Sequence, residues 1–310
     1  MKQNHDLHLS PIKKLKTLLL VNFLFHFLLT FYACTYSSTF SDSVSGYDLA
    51  KPDKTMILPD TLREISDLTE INNTTIACIQ DENGILFIYD VLQNNIKQQY
   101  NFHVDGDYEG IARVGKTIYI LRSDGALFEI SDYETANFKL GTYVTGIPAD
   151  NEGLCYDADN NRLLIACKSK LEKGAAYKDK RMIYGFDLST KALTSEPVFT
   201  FDLVTIKQFA QEKKLNLPER NNKNGSDPAL KFSPSAIAIH PFSKKIYLLS
   251  AAGYMLFIFD RQGTLEHIEQ LNPKIFNKAE GITFFSNGDM LITNEGQDRK
   301  PTLLVFNYRN

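Results

Sequence analysis

Three glutamates return in nearly the same short context. The chain reads "DYEGIARV" from Asp107, "DNEGLCYD" from Asp150 and "KAEGITFF" from Lys278, so Glu109, Glu152 and Glu280 each precede a glycine and an apolar run. Two hydroxyls hold the matching place elsewhere, Ser66 in "ISDLTEI" and Ser235 in "SAIAIH". Carboxylates and hydroxyls brought to one point are hard oxygen donors. Calcium takes about 6–8 such ligands at about 2.3–2.6 Å, completed by carbonyls and water. Crowded carboxylates raise one another's pKa, and a bound cation removes that cost. Zinc or copper fits poorly, because no His or Cys accompanies the set. The competing expectation is a hydrated mouth where the acids bind nothing.

The elements that must bring these residues together are visible as a repeat. The five positions Ser66, Glu109, Glu152, Ser235 and Glu280 are spaced by 43, 43, 83 and 45 residues. Each unit reads as strand, polar turn, strand, Gly-bearing turn, and a third strand ending near Asp. Examples are "TTIACIQDENGILFIYD" (Thr74–Asp90), "KTIYILRSDGALFEISD" (Lys116–Asp132) and "KKIYLLSAAGYMLFIFD" (Lys244–Asp260). A fourth, more amphipathic strand follows in the first four units, such as "FKLGTYV" from Phe138. Four strands in about 43 residues is the period of a propeller blade. The step of 83 contains "TIKQFAQEKKLNL", with Ile206, Phe209 and Ala210 at helical spacing, then the polar "PERNNKNGSDP". Residues 203–234 therefore read as a partly helical insertion before the fourth blade. The last unit has only three strands, and "KTMILPD" (Lys54–Asp60) is an orphan that can supply the fourth. The expected fold is an all-β, five-bladed β-propeller over 53–310, closed by the N-terminal strand.

In a propeller the first strand of each blade lines the axis, so the five repeat positions form a ring at one mouth. Second strands run antiparallel and should end at the same mouth. This places Asp81, Glu82, Arg122, Lys168 and Glu295 there as candidate contacts to a charged or zwitterionic ligand, or merely as solvated strand ends. Catalysis has little support. Outside the first 33 residues the only histidines are His103, His240 and His267, which read as turn, linker or outer-strand residues. No Ser-His-Asp pattern, phosphate-cradling glycine loop or Cys-x-x-Cys is present. The first hypothesis is a non-enzymatic binding module for an envelope protein or small ligand. The alternative is a calcium-dependent hydrolase, lactonase- or phosphoesterase-like, working at the mouth.

The chain has 310 residues, 43% apolar and 23% charged, with a net charge of −3. That is ordinary for a globular protein, and with no basic stripe nucleic-acid binding is excluded. Lys13, Lys14 and Lys16 precede the apolar run "TLLLVNFLFHFLLTFYA", the form of a secretory signal over 1–33, with a transmembrane anchor as the alternative. Cys34 follows directly, an arrangement that resembles a bacterial lipoprotein signal. Lipidation at Cys34, a Ser-rich flexible tether over 34–52 and an exported, membrane-anchored envelope location are the expectations. Cys78, Cys155 and Cys167 lie in strand-like runs and read as small buried hydrophobes, although a Cys155–Cys167 bridge is conceivable.

Taken together, "DYEGIA", "NEGLCYD", "SAIAIHP" and "AEGITFFSNGDMLITNEG" resemble the SdiA-regulated domain family and its YjiK-like members, from about Lys54 to Tyr308. The resemblance implies a five-bladed propeller distantly similar to NHL repeats, secreted or membrane-attached in bacteria. It also implies a calcium site in the channel, with Glu109, Glu152 and Glu280 as its first ligands and Ser66 and Ser235 as weaker ones. The insertion before Ser235 departs from the simplest pattern of that family.

Overall fold

The computed structural model describes Val44 and residues 46–135, 137–148, 150–171, 177–220 and 229–309. The expected signal segment, Cys34 and most of the expected tether lie outside the described residues. Among the described residues no helix is long and apolar enough to cross a membrane.

Five antiparallel sheets follow one another around an axis. Blade 1 comprises Ile65–Asn72, Thr75–Gln80, Ile85–Asp90 and Asn95–Asn101, from axis to periphery. Blade 2 comprises Tyr108–Val114, Thr117–Arg122, Ala126–Ser131 and Lys139–Val144. Blade 3 begins with Asn151–Asp157, Arg162–Cys167 and Lys180–Asp187; its outer strand is split into Ala192–Leu193 and Phe199–Asp202, both paired with Lys180–Asp187. Blade 4 comprises Ala236–Ile239, Ile246–Ser250, Met255–Phe259 and Leu265–Gln270. Blade 5 joins Ala279–Phe284, Met290–Asn294 and Thr302–Phe306 to the N-terminal strand Lys54–Ile57, which pairs in the register Thr55↔Leu304 and Met56↔Leu303.

Burial explains the strand sequences. Thr75–Gln80 and Met255–Phe259 are buried along their whole length, because neighbouring blades cover both faces, and they read as unbroken apolar runs. The outer strand Asn95–Asn101 buries almost nothing and is correspondingly polar. Core clusters form between blades rather than within them: Ala77, Ile79, Leu86 and Ile88 of blade 1 pack with Ile111, Ile118, Ile120 and Phe128 of blade 2. Cys78, Cys155 and Cys167 are free and buried.

The insertion starts with the helix Leu203–Glu212, which buries Leu203, Ile206 and Ala210. Asp202 caps it, its Oδ1 accepting from the backbone N–H of Val204 at 2.8 Å and of Thr205 at 3.4 Å. A two-residue ribbon, Glu219–Arg220 with Ala229–Leu230, follows.

One boundary differs from the sequence expectation. Val44, Tyr47 and Leu49, inside the expected tether, are buried against blades 4 and 5. Tyr47 donates a hydrogen bond to the Gly288 carbonyl, and its ring lies 5.4 Å from that of Tyr308. A large aromatic finding a core slot is tertiary information, which a Ser-rich local context conceals.

Candidate functional site

Each inner strand starts at one mouth of the ring, called here the acidic face, and ends at the opposite face. In four blades the pairing register skips one residue at that start. The skipped residues are Ser66, Glu109, Glu152 and Glu280. A β-bulge leaves one residue unpaired and re-aims its side chain. The repeated acids are thus the bulged residues themselves. Close approach explains the glycine that follows: a Cβ on Gly110 would lie 2.6 Å from the Leu154 Cβ and 2.8 Å from the Glu152 carbonyl.

The three acids interact electrostatically. Burial, then Glu152 and Asp107, push the Glu109 carboxyl up to about 9. Glu152 is 3% exposed, and burial raises it to about 7 against the pull of Lys168, whose Nζ donates to Glu152 Oε1 at 2.6 Å. Burial also raises Glu280, opposed by Lys278, whose Nζ lies 3.1 Å from Glu280 Oε1 and contacts Glu295 as well. Among the described residues Glu109 alone of the three has no ion pair.

The remaining predicted residues divide. Lys168 and Glu295 belong to the mouth through these contacts. Asp81 and Glu82 lie beside it with Glu64, and burial together with Glu64, Glu295 and Glu82 raises Asp81 to about 7. Arg122 does not join them: its guanidinium holds Asp124 at 2.8 Å and lies over the Phe128 ring at 5.6 Å. The serines are engaged with backbone. Ser235 Oγ donates to the Ala279 carbonyl of the next blade at 3.1 Å, and Ser66 Oγ to the Glu64 carbonyl at 3.4 Å. Among the described residues no three His, Cys, Asp or Glu side chains are placed to hold a metal ion as they stand.

Sequence reasoning missed Lys278, Asp107 and Asp67. Lys278 and Asp107 each stand two residues before a ring glutamate, a recurrence that could have exposed them. Asp67 occupies the place taken by Gly110, Gly153, Ala236 and Gly281 in the other blades. It is 1% exposed, and its Oδ2 accepts from the Ile111 N–H of blade 2 at 2.9 Å.

The three histidines among the described residues each have a local partner. His240, at the opposite face, accepts at Nδ1 from the N–H groups of Phe242 at 3.2 Å and Ser243 at 3.1 Å. Its Nε2 therefore carries the proton and donates to the Tyr47 hydroxyl at 2.8 Å. Burial, with Lys245 and Lys244 nearby, lowers it to about 4. His267 pairs with Glu269 at 3.0 Å on the outer strand of blade 4, and His103 Nδ1 meets the Tyr108 hydroxyl at 3.0 Å.

These features define a five-bladed β-propeller with an acidic mouth. Among solved structures the chain is similar to the glutaminyl cyclase of Myxococcus xanthus, with a TM-score of 0.54 and 14% identity over 84% of this chain and 97% of that one. More distant likenesses are a chain of a nidogen/laminin complex, with a TM-score of 0.47 and 12% identity over 74% and 72% of the two chains, and the WD40 propeller domain of Doa1, with a TM-score of 0.44 and 11% identity over 86% and 99%. No family model and no curated protein sequence matches the chain.

Proposed function

We propose that this chain is an exported, lipid-anchored propeller of the SdiA-regulated kind, acting as a binding module whose ligand site is the acidic mouth and whose occupant is a calcium ion. The carrying observation is Glu109, a partly buried carboxyl raised to about 9 beside two further acids and without an ion pair of its own. A cation there relieves both desolvation and repulsion. The donor set, carboxylates with backbone carbonyls, suits a hard ion. The lysines now paired with Glu152 and Glu280 have side chains 45% and 35% exposed, so they can withdraw into water as calcium takes their carboxylates. The ion could in turn present an envelope protein or a small zwitterionic ligand to Lys168 and Glu295.

Calorimetric titration of the domain from Ser43 onward with calcium chloride tests this reading. Saturable binding that weakens in Glu109→Gln supports it; no heat, no retained calcium and no chelator effect on melting would remove calcium from the site. Cys34→Ala tests the anchor, since the variant should leave the membrane fraction.

A second reading rests on the carboxyls at about 9 and about 7. Glu152, at about 7, can take up or release a proton near neutrality, while Glu109, at about 9, is held as the protonated acid, the two roles general acid–base catalysis needs. This second reading is the calcium-dependent hydrolase working at the same mouth, on a fold that the glutaminyl cyclase shares. Turnover of lactones or phosphodiesters that is lost in Glu152→Gln would favour it over simple binding.

A further inference from the structure

The chain joins the ring at the face opposite the acids. Tyr47 donates to the Gly288 carbonyl and accepts from His240 Nε2 at 2.8 Å, and the Arg309 N–H donates to the Gly46 carbonyl at 2.9 Å. Gly288 and His240 stand in the turns that follow the inner strands of blades 5 and 4. Beside this entry point lies Phe242, 55% exposed and the one phenylalanine among the exposed large apolar residues described. Its ring is 5.5 Å from that of Tyr308, which packs in turn on Tyr47. It also backs onto Gly288, where a Cβ would lie 2.8 Å from Phe242 Cε2, so the side chain is propped outward. Two residues on, Lys244 is exposed and has no ion pair among the described residues, whereas Lys245 is held by Glu266 at 2.8 Å. Leu92, 69% exposed, stands at the same face on the turn between the third and fourth strands of blade 1.

We propose that this face rests on the lipid surface to which the chain is tethered, with Phe242 as the residue that enters it. This orientation rests on the membrane attachment proposed above. Either form of attachment, a lipidated Cys34 or a membrane anchor, puts the bilayer at or just before residue 34. Val44 follows ten residues later, and that length reaches at most about 33–36 Å when fully extended. The entry face is thus held near the bilayer, and the acidic mouth lies at the far end of the inner strands. Tethering makes a weak lipid contact intramolecular, so one aromatic suffices where a free protein would need several. Phe242 buries apolar area at the headgroup level, and the unpaired Lys244 beside it favours anionic phospholipid. The mouth then opens to the aqueous side, where it meets its ligand.

The chain has no tryptophan, so Phe242→Trp and Val104→Trp each give a single fluorescent reporter. Val104 is 69% exposed on the linker into blade 2, at the acidic face. Each full-length variant is extracted from the membrane fraction and reconstituted into vesicles of phosphatidylethanolamine and phosphatidylglycerol, with or without bromine on the acyl chains. Bromine quenches on contact, so nearness alone leaves the emission unchanged. Phe242→Trp should lose emission in brominated vesicles, and Val104→Trp should keep it. If Phe242→Trp floats with the vesicles yet keeps its emission, or if Val104→Trp is quenched as much, the orientation is overturned while the anchor stands. A wild-type chain that never floats removes the anchor itself, and the orientation with it.

Discussion

The two ends of the propeller axis both bury ionisable groups, but they respond to pH in opposite directions. At the acidic face Glu109 and Glu152 are raised to about 9 and about 7. An acid whose folded pKa exceeds its unfolded value contributes stability at low pH, and that contribution is lost as pH rises through the folded value. At the opposite face His240 is lowered to about 4. It is neutral when folded, so its contribution is complete above the unfolded value near 6.5 and is lost as pH falls toward 4. Acidification therefore relaxes one end while loosening the other. What differs is the partner: the histidine is satisfied by neutral donors and a phenol, whereas the acids crowd one another.

The comparison can be broken most severely at Tyr47. Tyr47→Ala removes a buried aromatic and the hydrogen bond to His240, and should cost about 3–5 kcal/mol. Thermal melts should show the loss, and an NMR titration should place the His240 pKa closer to 6.5. In wild type, taking the pH from 7 to 4 should cost on the order of 3 kcal/mol through His240 alone, since each tenfold change in proton affinity is worth about 1.4 kcal/mol. His240→Gln, which cannot protonate, should flatten that acid limb; an unchanged limb would assign it to other groups. Lys278→Met leaves Glu280 and Glu295 without their cation and should cost about 2 kcal/mol at pH 8, falling at low pH as Glu280, raised by burial, becomes neutral. The smallest effect is expected of Glu109→Gln. With chelator present it should stabilise by about 1 kcal/mol at pH 8, after allowance for solvent screening, and do nothing at pH 4. A destabilised Glu109→Gln at pH 8 would mean that the carboxylate already has a cationic partner.

Much of this contrast was legible before the structure. The ring position repeats because every inner strand meets the axis in the same way, so Glu109, Glu152 and Glu280 were marked by spacing alone. The bulge that aims them was not, since a skipped pairing leaves no signature in residue type beyond the glycine after it. Asp67 stayed hidden because it is the exception to a run of small residues, and its meaning depends on the Ile111 N–H of another blade. Arg122 was placed at the mouth because it ends a second strand, yet Asp124 two residues later captures it. Tyr47 was invisible for a related reason: its Ser-rich neighbourhood reads as solvated chain, and only the aromatic wall of His240, Phe284 and Tyr308 turns it into core.

The fastening of Tyr47 also decides how the domain carries a mechanical load. The described chain enters at the face opposite the acids, is clamped at Tyr47, and then runs as Lys54–Ile57 toward the acidic face, antiparallel to Thr302–Phe306. A pull on the leading end away from that face draws the strand along its own axis. All its ladder bonds are then loaded together in shear, rather than peeled one by one. Tyr47 stands ahead of that strand along the chain, so a load applied there meets the clamp before it meets the ladder.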